Sequence, residues 1–429
     1  MFNLNQHLTP AVFTLLVSSA VISANAASPA CDPDNGGITL PPGFCSLVVL
    51  GSDGGKIGTA RHLAVAAKGD VYVALEGTGE KGGVLALRDT TGTGKFDVRE
   101  HFGSKSVTGV VLHNGYLYIG TRASVERYKM TNGQLSPSGE PEIIATFAPE
   151  TRHPDKGLAF DGKGSVYVNV GAPSNACQKD NGTKMQPGQD PCPLLEKFGG
   201  IWKFDENKLN QTQEDGVRFA TGLRQEPAIT WHDGALYIVM NSRDQLDTLW
   251  GTAFTAQENA ERPAEPMFRA GQQGADFGWP YCFWDYGMQK FLTNPEYGGD
   301  GKKSDRCDKF TAPVASFPAH WAPVDVMFYG GTQFPAKYKD GAFIAFHGSW
   351  NRAPLPMAGY NVTFQPFANG KPSGKFEVFA SGFPGVDPLM RPNDAVARPD
   401  GVAQAPDGSL YITDSQKGKI WRVIYTGSK

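Results

Sequence analysis

The sequence predicts an all-β protein: a six-bladed β-propeller with four-stranded blades, in which an N-terminal strand closes the last blade. Three observations predict it. One hairpin motif recurs six times, flanking strands bring most of the repeats to four strands, and the last repeat is one strand short.

The recurring motif reads "GDVYVA" at Gly69, "GYLYIG" at Gly115, "GSVYVNV" at Gly164, "GALYIVM" at Gly234, "GAFIAF" at Gly341 and "GSLYIT" at Gly408. Each copy is a turn glycine followed by alternating strand residues with an aromatic near the start, the pattern of a half-buried hairpin strand. A short apolar strand precedes each, as in "RHLAVAA", "TGVVLHN", "KGLAFDG", "EPAITWH", "VDVMFYG" and "DGVAQAP". A third strand follows in "GGVLALRD", "GGIWKFD" and "GKIWRVIY", and a fourth in "REHFGS", "EIIATFA", "VRFATG" and "FEVFASG". Four strands per unit, repeated at such spacings, predict blades around a central channel. The sixth unit ends at "IWRVIYTGSK" without a fourth strand, and "GFCSLVVLGS", Gly43 to Ser52, supplies it from the other end of the chain. That pairing removes an open sheet edge.

The repeat glycines are spaced by 46, 49, 70, 107 and 67 residues, so the insertions fall in the later blades. The large ones are expected near 172–200 in blade three and near 271–325 between blades four and five. Long loops on a rigid scaffold are where binding usually lives. Ahead of the propeller, "AVFTLLVSSAVI" and then Ala24-Asn25-Ala26 read as a signal peptide over residues 1–26, although its start carries no Lys or Arg. An uncleaved anchor is the alternative. The expected organisation is therefore a leader and one propeller domain over 27–429, periplasmic or secreted, with no later run near the roughly 18 apolar residues of a spanning helix.

Net charge is -3 and no basic block stands out, which argues against a nucleic-acid partner. Cys31, Cys45, Cys177, Cys192, Cys282 and Cys307 make an even set, which favours disulfides in an exported chain. Six cysteines allow fifteen connectivities; their grouping in sequence favours Cys31 with Cys45, Cys177 with Cys192, and Cys282 with Cys307. Zinc is the weaker reading, because no C-x2-C couple or His cluster accompanies them.

In a propeller the residues just before each inner strand gather at one mouth of the channel. Here those positions hold Arg61-His62, Thr108, His153 to Lys156, Arg224-Gln225, His320 to Asp325 and Arg398 to Asp400. The arginines and histidines among them predict a basic ring suited to a ligand with several carboxylates, which the Arg fork pairs bidentately. Any single Arg could equally cap a strand end.

The ordered set "RHPDKGLAFDGKGSVYVNVG", "FATGLRQEP", "ADFGWPYCFW", "FHGSWNR" and "RPDGVAQAPDGSLYITD" resembles the soluble pyrroloquinoline-quinone (PQQ)-dependent sugar dehydrogenases, in particular the sorbosone and pyranose dehydrogenase branch. The likeness runs through the mature chain. It implies PQQ at the channel mouth, bound Ca2+, and oxidation of an aldose sugar or sugar-derived aldehyde to lactone or acid. An external electron acceptor, a cytochrome or a quinone, would be the further partner. His153 matches the family's catalytic histidine, a base of suitable pKa for taking a hydroxyl proton. Arg224 and Gln225 match its cofactor-binding Arg-Asn pair, with Gln in place of Asn. Arg352 and Arg398 are the candidates for the remaining carboxylates, and Arg61 stacks or bonds near blade one. For calcium the resemblance points to backbone carbonyls of "DFGWPY", with Gly278 and Pro280 as ligands, in keeping with the oxygen shell of this hard cation. "DTTGTGKFD", Asp89 to Asp97, outlines a calcium loop but places Thr91 and Thr93 where carboxylates are wanted, so it reads as a turn.

Two other classes stay open. A calcium-dependent lactonase or esterase propeller would need a channel cluster of Asp, Glu and Asn. A non-catalytic carbohydrate-binding propeller is compatible with the fold alone.

Overall fold

A computed structural model gives the fold and describes residues 1–2, 29–51, 59–150 and 152–427. The expected signal peptide lies almost wholly outside the described residues. Blade one is built from Thr59–Val65, Val71–Glu76, Gly83–Arg88 and Val98–Phe102, each antiparallel to the next. Its glycine turn works as read: Gly69 takes φ +94°, and the turn glycines of blades two, three, four and six also sit at positive φ. In blade five the left-handed residue is instead Asp340, at φ +59°, one position before the motif glycine.

Blades two to five start from the inner strands Val107–His113, Leu158–Phe160, Gln225–His232 and Pro323–Phe328. Blade six runs Pro399–Gln404, Leu410–Asp414, Ile420–Tyr425 and then Phe44–Leu50 from the N-terminal side. The closing strand is antiparallel, with Phe44 opposite Tyr425 and Val48 opposite Trp421. Its apolar face is gripped as well: Phe44 packs edge-on against Phe334, Tyr338 and Phe379 of blade five.

The later insertion is placed differently from expectation. Ala315–Phe317 is the fourth strand of blade four, paired with Glu265–Ala270, so residues 271–314 lie inside that blade and not between blades four and five. Only three residues form the strand, too few to show a period in the sequence. A second insertion over 242–264, carrying helices Leu246–Trp250 and Ala256–Glu261, separates the second and third strands of the same blade. The three disulfides pair as expected, Cys31–Cys45, Cys177–Cys192 and Cys282–Cys307, and the last two tie down the insertions of blades three and four.

Five of the six inner strands slip register near their first residues: at Ala60/Leu63, Val107/Gly109, Gln225/Ala228, Pro323/Asp325 and Pro399/Val402. A bulge bends a strand and re-aims side chains. Repeated around the ring, it builds the channel mouth.

Candidate active site at the channel mouth

Arg61 occupies the bulge of blade one and is 7 % exposed. Its Nη1 donates to Asp400 Oδ2 (2.9 Å) in blade six, its Nη2 to Asp155 Oδ2 (3.2 Å) in blade three, and its Nε lies 3.6 Å from Glu76. Asp155 also accepts from Thr108 of blade two at 3.1 Å. Three blades thus meet on one guanidinium, and a fourth joins through Asp155. Burial raises the Asp400 carboxyl to about 7 even though Arg61 pulls it down.

Across the mouth, Arg224 is 3 % exposed and donates to the Ser242 carbonyl (2.8 Å) and to Asp244 Oδ2 (2.7 Å). The other oxygen of Asp244 meets His320 Nδ1 and Asn351 Nδ2, both at 3.3 Å. Burial alone would raise this carboxyl, but Arg224 and His320 hold it well below the usual range. The mouth is therefore not the basic ring expected. Each of these two arginines arrives with a carboxylate, because a buried guanidinium needs one.

His153 stands in the loop before the short inner strand of blade three, 7 % exposed. Glu150 fixes the loop by accepting the backbone N–H of Arg152 (2.6 Å) and of His153 (2.5 Å). Nδ1 lies 2.6 Å from the Ala172 carbonyl. Since a carbonyl only accepts, the ring proton sits on Nδ1 and the lone pair on Nε2. Nε2 has no hydrogen-bond partner among the described residues and is not sealed from the channel. Burial first, and the Arg224 cation second, push the imidazole down to about 3. At neutral pH the ring is uncharged, with its basic nitrogen open.

The position depends on a close approach. A Cβ at Gly171 would stand 2.6 Å from the His153 carbonyl oxygen and 2.7 Å from its Cβ, so the loop must move to admit one. Gly171→Ala is expected to lower turnover by about 10²-fold, as misplacement by an ångström does, with the melting temperature showing whether the fold survives. Unchanged turnover would separate this contact from catalysis.

The remaining candidates divide. Gln225 is half-buried at the mouth, and its side-chain amide makes no hydrogen bond among the described residues. Arg398 donates to the carbonyls of His347 (3.0 Å) and Gly348 (2.8 Å) and lies 5.2 Å over the Tyr360 ring. Arg352 is not brought to them. Its donors go to the carbonyls of Pro356, Ala260 and Ala319, which ties the blade-five loop to the blade-four insertion. Gly278 and Pro280 form a buried turn at φ +97° for the glycine. The Gly278 carbonyl accepts from Tyr281 and Cys282 N–H, and the Pro280 carbonyl accepts from Asn294 Nδ2. The Gly278 oxygen thus has both lone pairs engaged and does not fit a calcium ion as it stands, whereas the Pro280 oxygen keeps one lone pair. The Asp89 and Asp97 carboxylates likewise accept donors of their own loop, as the reading of a turn requires.

Glu226 and Arg152 escaped the sequence reading of the mouth, and Lys156 was placed there without a role. Glu226 is fully buried with both oxygens unpaired, and burial raises it to about 8 against the pull of Lys156 and Arg224. Lys156, 1 % exposed, donates to the Pro154 carbonyl, and burial lowers it to about 8. Arg152 is exposed beside His153 and makes no side-chain hydrogen bond among the described residues. Glu226 follows "RQ" directly and Lys156 lies inside "RHPDKG", so position was the available signal.

The comparisons agree with this architecture. A pyrroloquinoline quinone-dependent pyranose dehydrogenase of Coprinopsis cinerea is 26% identical over 269 residues, 54% of this chain and 36% of that protein. An uncharacterized protein of Borreliella burgdorferi is 33% identical over 150 residues, 35% of this chain and 36% of that protein. The chain thus matches little more than a third of the length of these curated relatives. Among solved structures, the calcium structure of the Trichoderma reesei family AA12 enzyme superposes with a TM-score of 0.71 at 17% identity, covering 94% of this chain and 99% of the other. The holo PQQ domain of the Coprinopsis cinerea pyranose dehydrogenase gives 0.71 at 17%, covering 90% and 97%. The soluble aldose sugar dehydrogenase of Escherichia coli gives 0.56 at 15%, covering 89% and 99%. At these identities the superpositions speak to the fold. Membership rests on the sequence, because the TrAA12-like profile matches residues 39–426, from just before the closing strand to the end of blade six: the chain belongs to the TrAA12-like family.

Proposed function

We propose that this chain is a quinoprotein dehydrogenase that oxidises an aldose or a sugar-derived aldehyde, of the L-sorbosone kind, to a lactone or acid with PQQ. The observation that carries the reading is His153, a neutral imidazole whose Nε2 lone pair opens on the channel beside Arg224. When bound, the quinone supplies the two-electron acceptor for the hydrogen that leaves the substrate carbon with its electron pair. His153 Nε2 takes the proton of the anomeric or hydrate hydroxyl on the same carbon.

Donors for a polycarboxylate are at hand. The Nε of Arg224 is buried without a hydrogen-bond partner among the described residues, that of Arg61 has only Glu76 at 3.6 Å, and Arg152 and Gln225 are uncommitted. Arg224, Gln225, Arg61 and Arg398 would orient the cofactor, since charge-assisted bonds to carboxylate are strong and directional. No step here passes through a metal. Regeneration requires an external acceptor. The pyranose dehydrogenase relative supports the sugar, and the three disulfides support a location outside the cytoplasm.

The test is reconstitution of the purified chain with PQQ, followed by a panel of aldoses and sugar aldehydes with an artificial acceptor. Acceptor reduction that depends on both sugar and quinone is expected. Tight quinone binding without oxidation of any member of the panel would sink the assignment.

A further inference from the structure

The loop that carries His153 also carries a cation without a partner. Arg152 directly precedes the base, is exposed, and its guanidinium makes no hydrogen bond or ion pair among the described residues. Its neighbours at the mouth are engaged. Arg61 meets Asp400 and Asp155, Arg224 meets Asp244, and Arg398 meets two backbone carbonyls. Glu150, the carboxylate nearest to Arg152 in sequence, turns its oxygens to the backbone N–H groups of Arg152 and His153 and not to the guanidinium.

We propose that Arg152 reads a carboxylate on the substrate, so that the preferred aldose is a uronic acid, held by its acid group while its anomeric carbon is oxidised. The inference rests on the function proposed above and leaves its chemistry unchanged. The anomeric hydrogen leaves with its electron pair for the quinone, the hydroxyl proton goes to His153 Nε2, and the product is the lactone; the carboxylate does not react.

Position is the first argument. Consecutive Cα atoms are about 3.8 Å apart, and an arginine side chain is longer than a sugar ring is wide. A substrate with its reacting hydroxyl at His153 Nε2 is therefore within reach of the neighbouring guanidinium. The root of that arm is fixed, because Glu150 holds the Arg152 N–H at 2.6 Å and the His153 backbone is pressed against Gly171.

Charge is the second. Burial first, and the Arg224 cation second, lower Arg152 below the ordinary arginine value, a pull that Asp244 and Glu150 offset only in part. Burial lowers Arg61 too, yet Asp400, Asp155 and Glu76 carry it above that value. A carboxylate delivered by the ligand would give Arg152 the kind of partner that Arg61 and Arg224 have from the fold. The planar fork binds a carboxylate bidentately, and one free guanidinium matches one negative charge.

The test compares the quinone-loaded wild type with Arg152→Ala and Arg152→Lys on D-glucuronate and D-glucose, which present the same anomeric carbon. The ratio of kcat/KM for glucuronate to that for glucose should exceed one in the wild type. It should fall about 10-fold to 100-fold in Arg152→Ala, the effect of a lost charged hydrogen bond, and less in Arg152→Lys, which keeps the charge without the fork. The loss should lie in KM more than in kcat. Methyl β-D-glucuronide, whose anomeric hydroxyl is blocked, should bind the wild type in calorimetry and lose a similar factor in the Ala variant. A wild-type ratio below one, or a ratio and glucuronide affinity unchanged by Arg152→Ala, overturns the proposal. An equal loss on both sugars with weaker quinone binding also overturns it, by giving Arg152 to the cofactor. If neither sugar is oxidised, the function proposed above fails instead, while glucuronide binding still decides the role of Arg152.

Discussion

His153→Ala is expected to lower the maximal rate by about 10²-fold to 10⁴-fold, the usual cost of losing a general base, with quinone and substrate affinity little changed. In the proposed reaction the base acts as the carbon–hydrogen bond breaks, so its removal would be felt in kcat. Single-turnover reduction of bound quinone reads the step directly. His62, His320 and His347 serve as controls because their rings are engaged: His62 with the Val324 carbonyl (2.7 Å), His320 with the Asn259 carbonyl (2.6 Å), and His347 with Ser415 Oγ (2.6 Å). A wild-type rate in the His153 variant, with one control failing, would transfer the role to that control. The same geometry predicts the pH profile. A base held near 3 is already deprotonated across the ordinary range, so kcat/KM should show no acid limb near 6.5. The sign for stability is opposite in kind: between about pH 3 and 6.5 the unfolded chain binds more protons at this ring, so the fold loses stability as pH falls through that window.

Asp244→Ala is the second large effect. The mutation leaves the Arg224 guanidinium buried with only the Ser242 carbonyl and removes one of the two partners of His320. Breaking a buried pair from one side costs about 3–5 kcal/mol, which urea unfolding of the quinone-free protein would register. Backbone distortion is not the cause, because Asn175 holds both the N–H (2.9 Å) and the carbonyl (2.8 Å) of residue 244. Quinone affinity should fall in parallel as Arg224 loses its orientation. A loss below about 1 kcal/mol, the worth of an exposed pair, would mean that Arg224 is solvated in place.

The blades were legible because glycine turns and alternating strands are local. Gly69 or Gly408 announces a left-handed turn wherever it falls, and the six apolar runs that follow need only their own residues to be recognised. The disulfides were legible for a similar reason, since each bridge spans at most 25 residues. The partners of the arginines were not. Arg61 meets Asp400 across 339 positions, and Arg224 meets Asp244 from inside an insertion whose strands the repeat does not show. Asp155 and Asp400 already stood among the mouth positions, and ring closure decides only that both meet Arg61. Arg352 shows the converse. Its motif suggested a ligand, yet three nearby carbonyls satisfy it.

The join of Phe44–Leu50 to Ile420–Tyr425 has a bearing on how the protein is made. A ribosome releases the outer strand of blade six first and its neighbour last, so throughout synthesis that strand has no edge to lie against. Contacts of such long sequence separation form slowly. The Cys31–Cys45 bridge, by contrast, spans 14 residues and can form while the rest of the chain is still emerging. It would anchor the start of the waiting strand, at Cys45, to the chain before it until blade six arrives to receive the rest.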